Sequence, residues 1–245
     1  MRLKAYAAQT HQGPYLQVNE DGYDFDFDHE LFMIFDGFGG SGVGDRAVDK
    51  LKQDIRSFYG ELSRDPNATM PLYHNPRNLL EGNAITNALL NAHHNLMKEN
   101  HAKPVNQRAG VSALVAVRAE SLLVLVGVGN CTAYHFRQGA LTKIVQEDTW
   151  RPLAQDQTTW KFKSSPMNAI GMYPELGQTL REVRLMEGDK ILFLTDGIYP
   201  HLTDDELLYV MNKNAPDAQE RVNSLLKLSN SRGNLDNQTA MILEF

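Results

Sequence analysis

An α+β fold built on antiparallel sheet is the architecture this sequence predicts, and three observations predict it. Helical periodicity falls into separate groups. Short apolar, strand-like runs cluster between and around those groups. Regular strand–helix alternation, the mark of a doubly wound parallel sheet, does not occur.

The elements follow in chain order. Tyr23-Asp24-Phe25-Asp26-Phe27-Asp28 alternates strictly, as a half-buried strand does, and a solvated face accounts for its three aspartates. His29-Glu30 turns the chain into Leu31-Phe32-Met33-Ile34-Phe35. That continuous apolar run suits a strand covered on both faces. Past the break at Asp36-Gly37-Phe38-Gly39-Gly40, the spacing of Ala47, Leu51, Ile55 and Phe58 predicts a helix. A second helix is expected over 83–100, with Ile85, Leu89, Ala92 and Leu96 on one face and Pro104 just beyond its end. Short apolar strands are expected over 112–117, 122–128 and 132–136, with Gln138-Gly139 as a hairpin turn. Residues 190–194 read as another buried strand. Thr203-Asp204-Asp205-Glu206 opens a helix as a capping box, 218–228 forms a further helix, and 239–245 closes the chain as a strand.

Composition narrows the function classes. The 245 residues are 42% apolar, enough for a sizeable core, and the charged fraction of 22% is ordinary for a globular chain. Net charge is −6 and the basic residues are scattered, which argues against a nucleic-acid partner. One cysteine, Cys131, allows no intramolecular disulfide and points to a reducing compartment. Met1-Arg2-Leu3-Lys4 leads into no long apolar run, so no signal peptide is expected. The apolar stretch 121–128 is too short to cross a bilayer, and no membrane partner is expected. With no repeat or linker tract, and 64–77 reading as an internal polar loop, a single domain over 1–245 is expected.

Three aspartates share a context. Asp36 and Asp196 each follow an apolar run and precede glycine, while Asp236 lies in the Gly233-Asn234-Leu235-Asp236-Asn237 turn before the last strand. Each is a carboxylate delivered at the rim of a rigid element. Converging carboxylates repel and call for a cation, and hard oxygen donors favour Mg²⁺ or Mn²⁺ over zinc. Gly37 lets the backbone approach closely, so its carbonyl can join the ligands. Taken singly, each aspartate reads more readily as turn chemistry, and spacing alone does not bring the three together.

The ordered segments carry more. They are Asn19-Glu20-Asp21, then 31–40 with Asp36-Gly37, then Ala109-Gly110-Val111-Ser112-Ala113. Gly127-Val128-Gly129-Asn130-Cys131 and Asn168-Ala169-Ile170-Gly171 follow. The series ends with 187–198 around Thr195-Asp196-Gly197 and with Leu235-Asp236-Asn237-Gln238-Thr239-Ala240. In order and spacing, over nearly the whole chain, the series resembles the PP2C (PPM) family of metal-dependent serine/threonine protein phosphatases, of the bacterial type. The resemblance implies a central antiparallel β-sandwich flanked by pairs of helices, with two Mg²⁺ or Mn²⁺ ions at one end. It implies that Asp36 bridges both ions, that the Gly37 carbonyl binds one, and that Asp196 and Asp236 bind too. It assigns Glu20, Asp21 and Asn237 to outer-shell or water-mediated roles. The implied reaction is hydrolysis of phosphoserine or phosphothreonine in a kinase-phosphorylated protein by an ion-activated water, with no covalent phosphoenzyme. Cys131 is accordingly not expected to act as a nucleophile, although Arg137 follows it at a Cys-x5-Arg spacing.

The match has departures. Leu16 stands where many members carry a phosphate-docking arginine, so the residue that docks phosphate is left open, with Arg46 one candidate against a plain surface role. Asn130 stands where the family has aspartate at a third, weaker metal position; it keeps an oxygen donor without charge, and poor third-ion occupancy is expected. Phe38 replaces a histidine proposed as general acid in eukaryotic members. His93-His94 read as packing or surface residues rather than ligands. Trp150 and Trp160 flank 151–159, a stretch expected to shape access to the site or to pack in the core. The losses at Leu16 and Asn130 also support an alternative: a weak or inactive member serving as a phosphoprotein-binding regulatory module. A hydrolase of small phosphate esters is a third reading.

Overall fold

Two five-stranded sheets emerge from the pattern of apolar runs in the computed structural model, which describes residues 2–39, 42–64, 69–150, 165–212 and 217–245. The first sheet contains β1 (Ala5–His11), β6 (Thr132–Arg137), β7 (Ala140–Val145), β11 (Lys190–Leu194) and β12 (Gln238–Glu244), in the order β1-β12-β11-β6-β7. The second contains β2 (Asp21–Asp26), β3 (Leu31–Gly39), β4 (Ala109–Ala119), β5 (Leu122–Val128) and β10 (Thr179–Arg184), in the order β10-β5-β4-β3-β2. Every pairing within the two sheets is antiparallel. A short ribbon, β8 (Thr149–Trp150) with β9 (Ser165–Pro166), lies apart from both.

The sheets stack face to face. Phe32, Ile34, Leu114 and Leu125 of the second meet Ile191, Phe193, Met241 and Leu243 of the first in a fully buried core. The opposite face of the second sheet is covered by α1 (Gly44–Arg64) and α2 (Leu80–His101), which bury Leu51, Ile55, Ile85 and Leu89 against Leu31, Met33 and Phe35. The opposite face of the first is covered by α3 (Asp204–Asn212) and α4 (Ala218–Ser231), packed on Leu192, Leu194 and Ile242. The layering is therefore α-β-β-α, the predicted architecture. It explains the run at 31–35: alternate side chains enter two different cores, so no position can be polar.

Local chemistry sets the element ends. Gln138 and Gly139 take positive φ (50° and 81°) and turn β6 into β7, as two-residue hairpins require. The Thr203 hydroxyl accepts a hydrogen bond from the Glu206 amide (3.2 Å), while the Glu206 carboxylate accepts one from the Thr203 amide (3.0 Å). This is the predicted capping box. The Asp217 carboxylate accepts from the Gln219 amide (2.9 Å) and caps α4.

Within the two five-stranded sheets, two strands escape the sequence reading, β1 and β10. Both lie at sheet edges, where one side of the backbone is unpaired and apolar demand is low. One expectation is corrected. Asp28 is exposed as expected, but Asp24 and Asp26 do not face open solvent: α1 lies over them, Arg56 pairs with Asp24 (2.6 Å) and with Asp26 (3.6 Å), and His29 contacts Asp26 (2.8 Å). Alternation correctly separated the two faces of the strand; it carried no information on what covers the polar one. Among the described residues, no helix is long and apolar enough to cross a membrane.

Candidate metal centre

Strand register creates the site. On the β2–β3 pair Asp21 stands directly opposite Asp36. Asp36 has the parity of Phe32 and Ile34, whose side chains enter the space between the sheets. The other sheet supplies Asp196, two residues beyond β11, and Asp236, two residues before β12. These strands are neighbours, with Leu194 opposite Ala240, and the Thr195 amide donates to the Thr239 carbonyl (3.1 Å) just past the paired segment. Close approach there depends on Gly197, because a Cβ at that position would collide with the Asn237 carbonyl. The β5–β6 link, which crosses between the sheets, turns at Gly129 (φ 78°) and brings in Asn130.

Hydrogen bonds tie the pieces together. The Thr195 hydroxyl donates to Asp21 Oδ2 (2.8 Å) and accepts from the Thr239 amide (2.8 Å), joining the carboxylate of one sheet to the strand ends of the other. Asn130 Nδ2 donates to Asp196 Oδ2 (2.8 Å). Glu20 is held three ways: its carboxylate accepts from the Gly44 amide (2.7 Å) at the start of α1, its amide donates to Asn237 Oδ1 (2.8 Å), and its carbonyl accepts from the Gly37 amide (3.1 Å).

The electrostatics point to missing positive charge. Burial holds the Asp36 carboxyl well above the usual carboxylate range, and Asp196, Asp21 and Asp236 push it further. Burial likewise raises Asp21, outweighing the Thr195 hydroxyl that favours its ionised form, with Asp196 and Asp236 adding to the rise. Asp236 keeps part of its side chain in solvent, yet lost hydration at its carboxyl and the charge of Asp196 push it up to about 6. Carboxyls that resist ionisation through burial, and further through one another, need a cation to become charged together. The donor set is oxygen throughout, which fits Mg²⁺ or Mn²⁺. Among the described residues, no three His, Cys, Asp or Glu side chains already stand as a closed ion-binding group. The carboxylates are electrostatic neighbours rather than a finished cage. Burial, with Asp36, Asp21 and Asp196, also pushes the Cys131 thiol well up, so it is no thiolate nucleophile.

The remaining predicted positions divide. Asn237 spends its amide on main chain: Nδ2 donates to the Gln12 and Val18 carbonyls (2.9 and 3.0 Å). Asn130 Nδ2 faces Asp196, and its Oδ1 is buried without a hydrogen-bond partner. Leu16 is 40% exposed. Arg46, exposed, lines a cleft between α1 and α2. A Cβ at Gly110 would strike the Phe38 ring, so that ring lies against Gly110 of β4. His93 is buried and its Nδ1 accepts from the Gly171 amide (3.1 Å), a packing role; His94 is exposed. Trp150 is 58% exposed and does not pack in a core; Trp160, the 151–159 stretch and Gly40 lie outside the described residues. Sequence reasoning missed Thr195 and Gly44 as supports of Asp21 and Glu20. A buried hydroxyl just before a strand-end aspartate is the one signal that marks Thr195.

A β-sandwich with a carboxylate cluster at one end, clad by helix pairs, is the fold of the PP2C-type serine/threonine phosphatases. No family model matches the chain. It is 25% identical over 248 residues to the serine/threonine protein phosphatase PstP of Mycobacterium tuberculosis, matching 98% of this chain and 44% of PstP, so it spans less than half of that relative. Among solved structures, the catalytic domain of PstP in complex with two manganese ions superposes with a TM-score of 0.76 at 22% identity, covering 98% of this chain and 96% of that one. PppA, a regulatory component of a secretion system in Pseudomonas aeruginosa, superposes equally (TM-score 0.76, 22% identity, 99% and 98% covered). The resemblance read from the motif series is borne out in sequence similarity and in fold.

Proposed function

We propose that the chain is a metal-dependent phosphatase that hydrolyses phosphoserine or phosphothreonine in proteins, acting as one domain over 1–245. One observation carries this reading: carboxylates from both sheets meet at one end of the sandwich, where burial and mutual repulsion raise the pKa of Asp21, Asp36 and Asp236, a state that dications relieve. Asp36, Asp196, Asp236 and the Gly37 carbonyl hold two Mg²⁺ or Mn²⁺ ions, with Glu20, Asp21 and Asn237 around them. Bound ions supply Lewis-acid activation of water and neutralise charge on the phosphoryl group. The chain's part is positioning. Thr195 fixes Asp21, Asn130 orients Asp196, and Glu20 is locked between α1 and Asn237. Cys131, buried with its thiol pKa raised, supplies no thiolate, which accords with attack by water. The partner is a phosphorylated protein, the product of a serine/threonine kinase, and the buried thiol accords with a cytoplasmic setting. Turnover of p-nitrophenyl phosphate and a phosphothreonine peptide with Mn²⁺ tests the reading. Asp36→Asn is expected to lower both rates at least about 100-fold. Wild-type rates no higher than those of the variant would sink it.

A second reading, a phosphoprotein-binding regulatory module, draws on Leu16 and on the uncharged Asn130. The fold is shared with PppA, itself a regulatory component. Calorimetry separates the two: tight phosphopeptide binding without turnover favours the module.

A further inference from the structure

We propose that a cleft between the start of α1 and the end of α2 receives an acidic side chain of the substrate, a few residues from the phosphorylated one. The proposal rests on the phosphatase reading. The cleft has a volume of about 260 Å³ and is lined by Arg46 and Lys50 of α1, Leu96 and Glu99 of α2, and Lys103 and Gln107 beyond it. Three cations stand there against one carboxylate. Glu99 pairs with Lys50 and reaches Lys103 (3.9 Å), while no carboxylate among the described residues pairs with the Arg46 guanidinium. The chain as a whole is acidic, at −6. A local positive cleft is therefore opposite in sign to the general field and selects for an anion at short range.

Its position says which anion. The cleft wall includes Ala109 of β4, the direct partner of Gly39 on β3, and Gly39 is three residues past Asp36. Along a strand that is about 10 Å. Asp36 faces between the sheets, whereas the cleft opens on the helix-covered side. The cleft is thus offset from Asp36 both along the strand and across the sheet. An extended peptide advances about 3.3 Å per residue, so an acidic residue two to four positions from the phosphorylated one arrives at the cleft. Arg46 and Lys103 become specificity-determining residues that leave the reaction itself untouched.

The test uses Mn²⁺-loaded full chain and phosphothreonine peptides that carry Glu or Ala at the second to fourth positions, on either side. At low salt the Glu peptides of one side are expected to show a KM about fivefold lower, with kcat unchanged and the difference shrinking as salt rises. Arg46→Glu/Lys103→Glu should abolish the preference and leave p-nitrophenyl phosphate turnover intact. Arg46→Gln/Lys103→Gln serves if the reversal variant melts early. Equal KM values for Glu and Ala peptides, or a preference that survives both variants, overturns the inference. Absent p-nitrophenyl phosphate turnover by the wild type overturns the phosphatase reading instead. In that case anisotropy of a labelled, unphosphorylated Glu peptide decides the cleft: binding that the variants lose supports it, and no binding refutes it.

Discussion

His201 is buried beside α3, and lost hydration of its ionised form lowers its pKa to about 4. In the unfolded chain its value is near 6.5. Between the two, the unfolded chain carries the extra proton, so stability rises with pH; the contribution is complete above about 6.5 and is lost as pH falls toward about 4. The effect should be of order 2 kcal/mol. Thermal melts of the wild type across that window should fall more steeply with acidification than those of His201→Gln; parallel curves refute the assignment. Asn130 makes the complementary point about charge. Replacing its amide donor by a carboxylate places repulsion beside Asp196. Asn130→Asp should melt earlier without metal, by about 1–2 kcal/mol, and regain the loss in excess Mn²⁺. Equal metal-free melting of variant and wild type contradicts the role given to the amide.

At the scale of elements, the site is a matter of how strands end. β11 and β12 run side by side, so the residues just beyond them, Asp196 and Asp236, share one rim. Gly197 is the spacer that permits this. Gly197→Ala drives a methyl group into the Asn237 main chain and must separate the two ends, costing about 1–3 kcal/mol. Circular dichroism melts should show the loss, and Mn²⁺-dependent turnover should fall with it. A variant of wild-type stability and rate would remove Gly197 from the argument. Legibility also varied by element. β3 announced itself because both its faces are buried, and α1 and α2 because one face is. β1 and β10 carry weaker patterns because edge strands have less to bury.

At the scale of the whole molecule, the described residues form three apolar layers, one between the sheets and one under each helix pair. The middle layer is common to both halves. Phe32, 2% exposed, projects into it from the second sheet and belongs to the same cluster as Phe193 and Met241 of the first. Phe32→Ala should cost about 3–5 kcal/mol. Because the layer is shared, unfolding in denaturant should remain one transition by both fluorescence and circular dichroism. Two separated transitions would contradict a single cooperative unit over 1–245.

The sequence alone determined the α+β class and the long strands and helices, since those depend on local periodicity, while its motif series singled out the carboxylates. It placed Asp36, Asp196 and Asp236 each at an element's rim. Only the tertiary structure decided that they share one rim, because that depends on pairing between strands far apart in the chain. It also decided what covers each polar surface. The β2 aspartates gained Arg56, Asn130 turned its nitrogen to Asp196, and Arg46 proved to line a cleft of its own. Side-chain partners across a fold follow from three-dimensional proximity, on which a one-dimensional pattern carries no direct information.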